Sequence, residues 1–265
     1  MIVNSSEINN LKQDGFILKK NILSDKNVTK IKEIIKLKDE GKGVKENHYS
    51  VSISSFIIKI IKFDITKIKN SLFFLDIKKK LNLDLVAKNF FKKKSNLTMV
   101  DGYYNKIQKS EILQWHSDQA YSGAKNINKI APADFFHLKF FFYLTDVGPN
   151  NGCTSYIPGS HKITYAVRSC LYEKKIKYEP FWEINDLVNL INKKDNYGHI
   201  VDKLDSKVVL NDFLNKANLV ILNKNNNHFD FHASPGDLLI FNEGGLHRGS
   251  MPSLNERVVL RYLYS

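Results

Sequence analysis

Apolar residues recur along this chain with two different periods, and the change falls near residue 97. Ahead of it the spacing is helical. Ile8, Leu11 and Phe16 are separated by polar residues over 5–15. Leu23-Ser24-Asp25 then forms a capping signal ahead of Val28, Ile31, Ile34 and Ile35, which share one helical face and predict a helix over 25–37. Residues 38–49 (KDEGKGVKENHY) are charged and contain glycine, which predicts an exposed loop, and 54–81 fits one or two more helices.

Beyond residue 97 the pattern changes to short runs rich in β-branched and aromatic residues, bounded by Gly, Pro, Asn and Asp. They lie at 97–107, 137–147, 152–158, 219–223, 236–242 and 256–264. Many short strands without alternating helices predict an antiparallel sandwich or barrel rather than a βαβ sheet. In 137–147 two faces alternate: His137, Lys139, Phe141 and Tyr143 on one, Leu138, Phe140, Phe142 and Leu144 on the other. Such two-sided apolar content is core packing, with Lys139 and Tyr143 as candidate pocket residues. The expected fold is mostly β with flanking helices. It is a single domain over 1–265, with 1–96 mainly helical and packed on a core at 97–265. The mixed segment 162–218, helical in period near 185–193, reads as a lid-like insertion.

Composition narrows the classes. The two cysteines, Cys153 and Cys170, have neither CxxC nor ribbon spacing, so reduced thiols are expected rather than a disulfide framework or structural zinc. No spanning segment or signal peptide is legible, and a cytoplasmic location is expected. The net charge of +13 invites a nucleic-acid reading. Lys, Asn and Ile are raised together throughout, at 36, 28 and 27 residues, against only 4 Arg, which indicates compositional drift rather than a selected binding patch. Nucleic-acid and membrane partners are therefore not expected. The scarcity makes each retained arginine informative, and Arg248, Arg257 and Arg261 all fall within the last 18 residues. Where lysine would serve as a point charge, a retained arginine points to a bidentate fork for carboxylate or phosphate.

Gln114-Trp115-His116-Ser117-Asp118 offers an imidazole and a carboxylate at i and i+2, one face of a strand. Alone the pair is weak, since His228-Phe229-Asp230 repeats it. Downstream, Pro235-Gly236-Asp237 launches an apolar strand that leads to His247, with Arg257 ten positions later. Two histidines and a carboxylate on one face of an octahedral metal leave three positions open, as Fe(II) oxygen chemistry requires, and Arg257 would anchor an acidic cosubstrate. The rival cluster His228, Asp230 and His232 lacks an arginine or buried strand behind it. His161, in PGSHK, is read as part of a structured turn. Trp115 and Tyr121 flank the HxD pair as pocket walls or as packing, and Arg248 and Arg261 meet either an anionic substrate or ordinary ion-pair partners.

These pieces together resemble the phytanoyl-CoA dioxygenase-like branch of the Fe(II)/2-oxoglutarate-dependent oxygenases. The resemblance spans nearly the whole chain: Gln13-Asp14-Gly15-Phe16, WHSD, Tyr143 to Val147, Asn151-Gly152, Pro158 to Lys162, PGDLLIF, and the final His and Arg. It implies a double-stranded β-helix (jelly-roll, cupin-like) core and iron held by His116, Asp118 and His247. It also implies that Arg257 pairs with the distal carboxylate of 2-oxoglutarate, with Ser250 and Asn105 as further cosubstrate contacts. The family's hydroxyl often sits two positions after the second histidine rather than three, which sets Ser250 apart. Related halogenases lack the carboxylate that Asp118 provides here, so the implied outcome is hydroxylation of an unactivated C–H bond of a small molecule, with O2 consumed and succinate and CO2 released. Two rivals from other classes are a cupin-like metal protein that does not use 2-oxoglutarate and a basic nucleic-acid-binding module.

Overall fold

The structure, a computed structural model, describes residues 2–36, 45–49, 65–118, 136–223 and 227–265. The chain begins with helix α1 (Ser5–Asp14), whose N-terminus is closed by a capping box between Asn4 and Glu7. Gly15 ends it at φ +90°, and a Cβ there would lie 2.3 Å from the Tyr156 hydroxyl, so only glycine fits. Strand β1 (Phe16–Lys19) and α2 (Asp25–Lys36) follow, then β2 (Lys45–Tyr49), α3 (Ile65–Lys80) and α4 (Leu83–Phe91). The second half carries β3 (Leu97–Asn105), β4 (Leu113–His116), β5 (Leu138–Tyr143) and β6 (Thr154–Tyr156). Four helices come next, α5 (Ser160–Tyr172), α6 (Ile184–Ile191), α7 (Asn196–Leu204) and α8 (Lys207–Leu222), before β7 (Leu238–Asn242), β8 (His247–Gly249) and β9 (Arg257–Tyr264).

The strands form a six-stranded antiparallel sheet in the order β1-β7-β5-β9-β3-β2 and a three-stranded antiparallel sheet in the order β4-β8-β6. Period-two alternation gives the larger sheet two unlike faces. Leu138, Phe140 and Phe142 of β5, with Leu238, Ile240, Val258, Leu260 and Tyr262, pack against Leu11, Ile31, Ile35, Phe74 and Val86 of α1–α4. The opposite face turns Phe141, Tyr143, Leu239, Phe241 and Val259 toward Tyr156 of the small sheet. Tyr143 donates a hydrogen bond of 2.8 Å to Thr154 across that gap. Helices α5–α8 enclose a separate core that includes Trp115, Phe181, Leu187, Ile191, Phe213 and Leu246.

Helix outweighs strand, 43% against 22%, so the expectation of a mostly β chain is corrected to a mixed one. One reason is 160–222, which folds into four helices. Its end, 219–223, was expected as a strand because Leu219-Val220-Ile221-Leu222 is a short apolar run. Instead it closes α8, where Leu210, Phe213, Ala217 and Val220 keep helical spacing in the core. Lys45–Tyr49, expected to be loop, pairs with β3, and after the helical stretch expected over 5–15 comes β1, a strand on which the sequence reading is silent. The rest of 38–49, and 54–64, lie outside the described residues. Among the described residues no helix is long and apolar enough to cross a membrane.

Candidate metal centre

Strands β4 and β8 pair so that His116 stands directly opposite His247, and residues in that relation share a face. Their rings lie 4.4 Å apart. Past the end of β4 the backbone is held from two sides: Ser117 N–H donates to the Trp182 carbonyl at 3.0 Å, and Asp118 N–H donates to the Glu243 carbonyl at 3.3 Å. This turn brings the Asp118 carboxylate back onto the histidines, with Oδ1 3.4 Å from His116 Nε2 and Oδ2 3.2 Å from His247 Nε2. The three ligand atoms lie within 4.8 Å of one another, and among the described residues no other group of three metal-binding side chains meets this way.

Tautomer and charge both suit a cation. His116 Nδ1 lies 2.6 Å from the Gln114 carbonyl and His247 Nδ1 2.9 Å from the Gly245 carbonyl. A carbonyl only accepts, so each Nδ1 carries the proton and each Nε2 presents a lone pair to the shared point. His116 Nε2 is buried and has no hydrogen-bond partner. Burial lowers the His247 pKa, with His116 beside it adding to the effect, which keeps that ring neutral. Burial pushes the Asp118 carboxyl upward, but the Lys139 ammonium opposes it, and the group is held well below the usual range. These residues fit a divalent metal.

Lys139, on the inner face of β5, contacts Asp118 and lies 3.3 Å from Glu243. Glu243 also meets His137 Nδ1, so a chain of polar contacts lines one wall of the centre. Burial alone would lower the Lys139 pKa, but Asp118 and Glu243 raise it. Phe241 packs 5.2 Å from His247 and 5.1 Å from Phe141, and the Arg257 guanidinium stacks over Phe141 at 5.8 Å and Tyr143 at 6.0 Å. Arg257 therefore occupies the same interior.

Arg257 is buried at the start of β9 and donates to Asn105 Oδ1 at 3.2 Å. It forms no ion pair with a described residue, and burial lowers its pKa. Two buried donors at this point, Arg257 Nε and Asn105 Nδ2, have no acceptor. A carboxylate is the ligand such a pair lacks. Gly152 makes room for the arginine, since a Cβ there would stand 2.9 Å from its Cδ.

The remaining sequence candidates sit elsewhere. Ser250 is buried, with its hydroxyl 3.2 Å from Cys153 Sγ rather than on Arg257. Trp115 packs edge-on against Phe229 beneath the Arg248 guanidinium, in the helical core. Arg261 is paired with Asp101, and Arg248 with Asp230 and Glu111. Tyr121 lies outside the described residues. Asp230 spends its charge on Arg248 and Ser155, so the rival cluster with His228 and His232 does not assemble. His161, expected in a turn, lies in the first turn of α5, where Nε2 meets the Lys12 carbonyl at 3.0 Å and burial lowers its pKa to about 4.

Two neighbours of the centre escaped the sequence reading. Glu243 continues the period of Leu239 and Phe241, a signal that was available. Trp182, whose ring lies 5.1 Å from His116, arrives on the segment before α6, and no local pattern announces it.

Two buried histidines and a part-exposed carboxylate, brought together beside antiparallel sheets, define the class. The chain belongs to the phytanoyl-CoA dioxygenase (PhyH) family, whose model matches residues 11–251, a span holding all three candidate metal-binding residues and ending short of Arg257. Among solved structures it is similar to HygX from Streptomyces hygroscopicus with nickel and 2-oxoglutarate bound, at 13% identity and a TM-score of 0.57, covering 99% of this chain and 87% of that one. AviO1 from Streptomyces viridochromogenes Tue57 matches at 13% identity and a TM-score of 0.54, covering 100% and 96%. The non-heme alpha ketoglutarate dependent epimerase SnoN from nogalamycin biosynthesis matches at 12% identity and a TM-score of 0.50, covering 97% and 80%. At such identities the likeness shows the fold. No curated protein matches the chain in sequence.

Proposed function

We propose that the chain is a non-haem Fe(II)- and 2-oxoglutarate-dependent dioxygenase that hydroxylates an unactivated C–H bond of a small molecule. The observation that carries this reading is the convergence of two Nε2 lone pairs and the Asp118 carboxylate beside an interior arginine with no acidic partner among the described residues. His116, Asp118 and His247 would hold iron, and Arg257 with Asn105 would take the distal carboxylate of 2-oxoglutarate. When bound, iron supplies O2 activation coupled to decarboxylation of 2-oxoglutarate to succinate and CO2, with a hydroxyl returned to the substrate.

The chain's own part is placement. Backbone carbonyls fix both imidazoles, Lys139, itself held by Glu243, fixes the Asp118 carboxylate, and Phe141, Phe241 and Tyr156 keep the interior apolar around it. We read 1–265 as one oxygenase domain whose core is a double-stranded β-helix. The insertion 162–218 acts as a cover, and Trp182 is the part of it nearest the metal ligands. A small-molecule substrate is supported by HygX, crystallised with hygromycin B, and by SnoN, crystallised with nogalamycin RO. Ser250, Trp115, Tyr143 and Arg261 stand behind the first contacts as supports.

Anaerobic titration with Fe(II) followed by 2-oxoglutarate tests the reading. A weak visible charge-transfer band should appear only when both are present, and addition of O2 should yield succinate. Iron binding without band or succinate would favour the cupin-like alternative. Failure to bind iron, with nucleic-acid affinity that falls steeply with salt, would favour the basic binding module.

A further inference from the structure

Outside the metal centre a groove of about 490 Å³ runs between α1 and α4 on one side and α5 and α7 on the other. Its floor includes Asn242 and Gly244, the residues on either side of Glu243, together with Phe136, which precedes His137. Its size falls within the range of small-molecule sites.

The lining combines two chemistries. Phe136 stacks on Phe91 at 5.7 Å and 29° and meets Phe90 edge-on at 6.0 Å, and Phe91 and Phe136 both stay partly exposed. Around these rings stand Lys12, Lys92, Lys162, Arg168 and Lys203, with no acidic side chain among the described residues of the lining. Glu173 pairs with Lys203, and Asp14 acts on Lys162 from outside the groove. Lys12, Lys92 and Lys162 form no ion pair with a described residue. The Lys12 ammonium reaches only the Asn89 carbonyl, at 3.3 Å, while Lys92 repels it. Three ammoniums beside partly exposed rings thus form a surface without an ion-pair partner among the described residues.

We infer that this groove binds a small phosphomonoester with an aromatic or fused-ring body. Lysine acts as a point charge, and several lysines around one opening suit the charge of roughly −1.5 to −2 that a phosphomonoester carries at neutral pH. A single carboxylate would leave them under-neutralised. The stacked phenylalanines offer a flat ring a face to lie against, which inorganic phosphate cannot use. A ligand here lies against the outer side of the 242–244 turn, whose Glu243 faces Lys139 and His137 inside. The inference stands on the groove alone and does not require the oxygenase reading.

Calorimetric titration of the full chain with 1-naphthyl phosphate, without iron or 2-oxoglutarate, tests it. One equivalent should bind, at least tenfold more tightly than 1-naphthol, 1-naphthoate or inorganic phosphate. The K92E/K162E double variant, changed at the groove rim, should weaken binding at least tenfold with its circular dichroism spectrum unchanged, and K92Q alone should weaken it less. H116A should leave it intact. No saturable binding would overturn the inference, as would equal affinity for naphthoate or phosphate. Insensitivity to K92E/K162E, or loss in H116A, would also overturn it, the latter by moving the ligand to the metal centre.

Discussion

Two arginine pairs cross the same two strands, four residues apart, and differ by one functional group. Midway along the β3–β9 ladder Arg261 stands opposite Asp101, and at its end Arg257 stands opposite Asn105. Arg261 donates through Nε at 2.8 Å and again through Nη2 to the carboxylate, and stacks over Tyr103 at 4.9 Å. Arg257 has the same burial and a similar aromatic bed, but meets an amide, at 3.2 Å, through one nitrogen. A buried guanidinium with its carboxylate is a finished piece of structure. The same group facing an amide carries a desolvation cost that only an arriving anion offsets. The contrast separates an arginine paired within the fold from one left without an acidic partner among the described residues, which is the basis for proposing Arg257 as the anion-binding one.

The strongest way to break the comparison is to remove the carboxylate from the finished pair. D101A leaves Arg261 buried and without that partner, and should cost about 3–5 kcal/mol of stability in denaturant titration, the usual penalty for orphaning one member of a buried pair. The pair D101L/R261M should recover most of that loss. A single variant within about 0.5 kcal/mol of the parent would mean that the other contacts of Arg261 support the charge, and the contrast with Arg257 would collapse.

Sharpening it requires the other pair. R257M removes a buried cation that has no counter-charge among the described residues, and should raise the stability of the ligand-free chain by about 1–3 kcal/mol. In the parent, 2-oxoglutarate at a hundredfold excess over its Kd, with iron present, should add about 2.7 kcal/mol. The variant should gain nothing from it. Thermal melts with and without the ligand read both effects. A variant that loses stability, or keeps the ligand-induced shift, would make Arg257 a structural residue like Arg261.

How much of this was legible in the sequence follows from which interactions are local. His116 and Asp118 are two apart, and His247 follows a strand announced by PGDLLIF, so spacing and period alone bring the three forward. The two-faced alternation of β5 is equally local and appears in the fold as read. What spacing could not decide is which arginine is satisfied. Arg257 and Arg261 share a strand face, and their difference is set by Asn105 and Asp101, more than 150 residues earlier, through a register that only the folded sheet defines. Trp182 reaches His116 from a loop with no period to betray it. The helical fate of 219–223 was hidden for a related reason: an apolar run of that length fits either state until α6 and α7 provide a surface for its helical face.

The smallest change tests the largest claim. Asn105 Oδ1 already accepts from Arg257, while its Nδ2 is buried without an acceptor. N105D replaces that idle donor with an oxygen and turns this pair into a copy of the other. The carboxylate would pair with Arg257 at nearly unchanged volume, and the ligand-free chain should become more stable by about 1 kcal/mol, since a charge-assisted bond replaces a neutral acceptor at some cost of further desolvation. The 2-oxoglutarate-dependent shift in melting temperature should disappear, because the guanidinium is then occupied from within. Iron binding should be unaffected, since His116, Asp118 and His247 are untouched. Metal binding and cosubstrate binding would thus separate in one variant, and a 2-oxoglutarate shift that survives N105D would show that the anion is held by something other than this arginine.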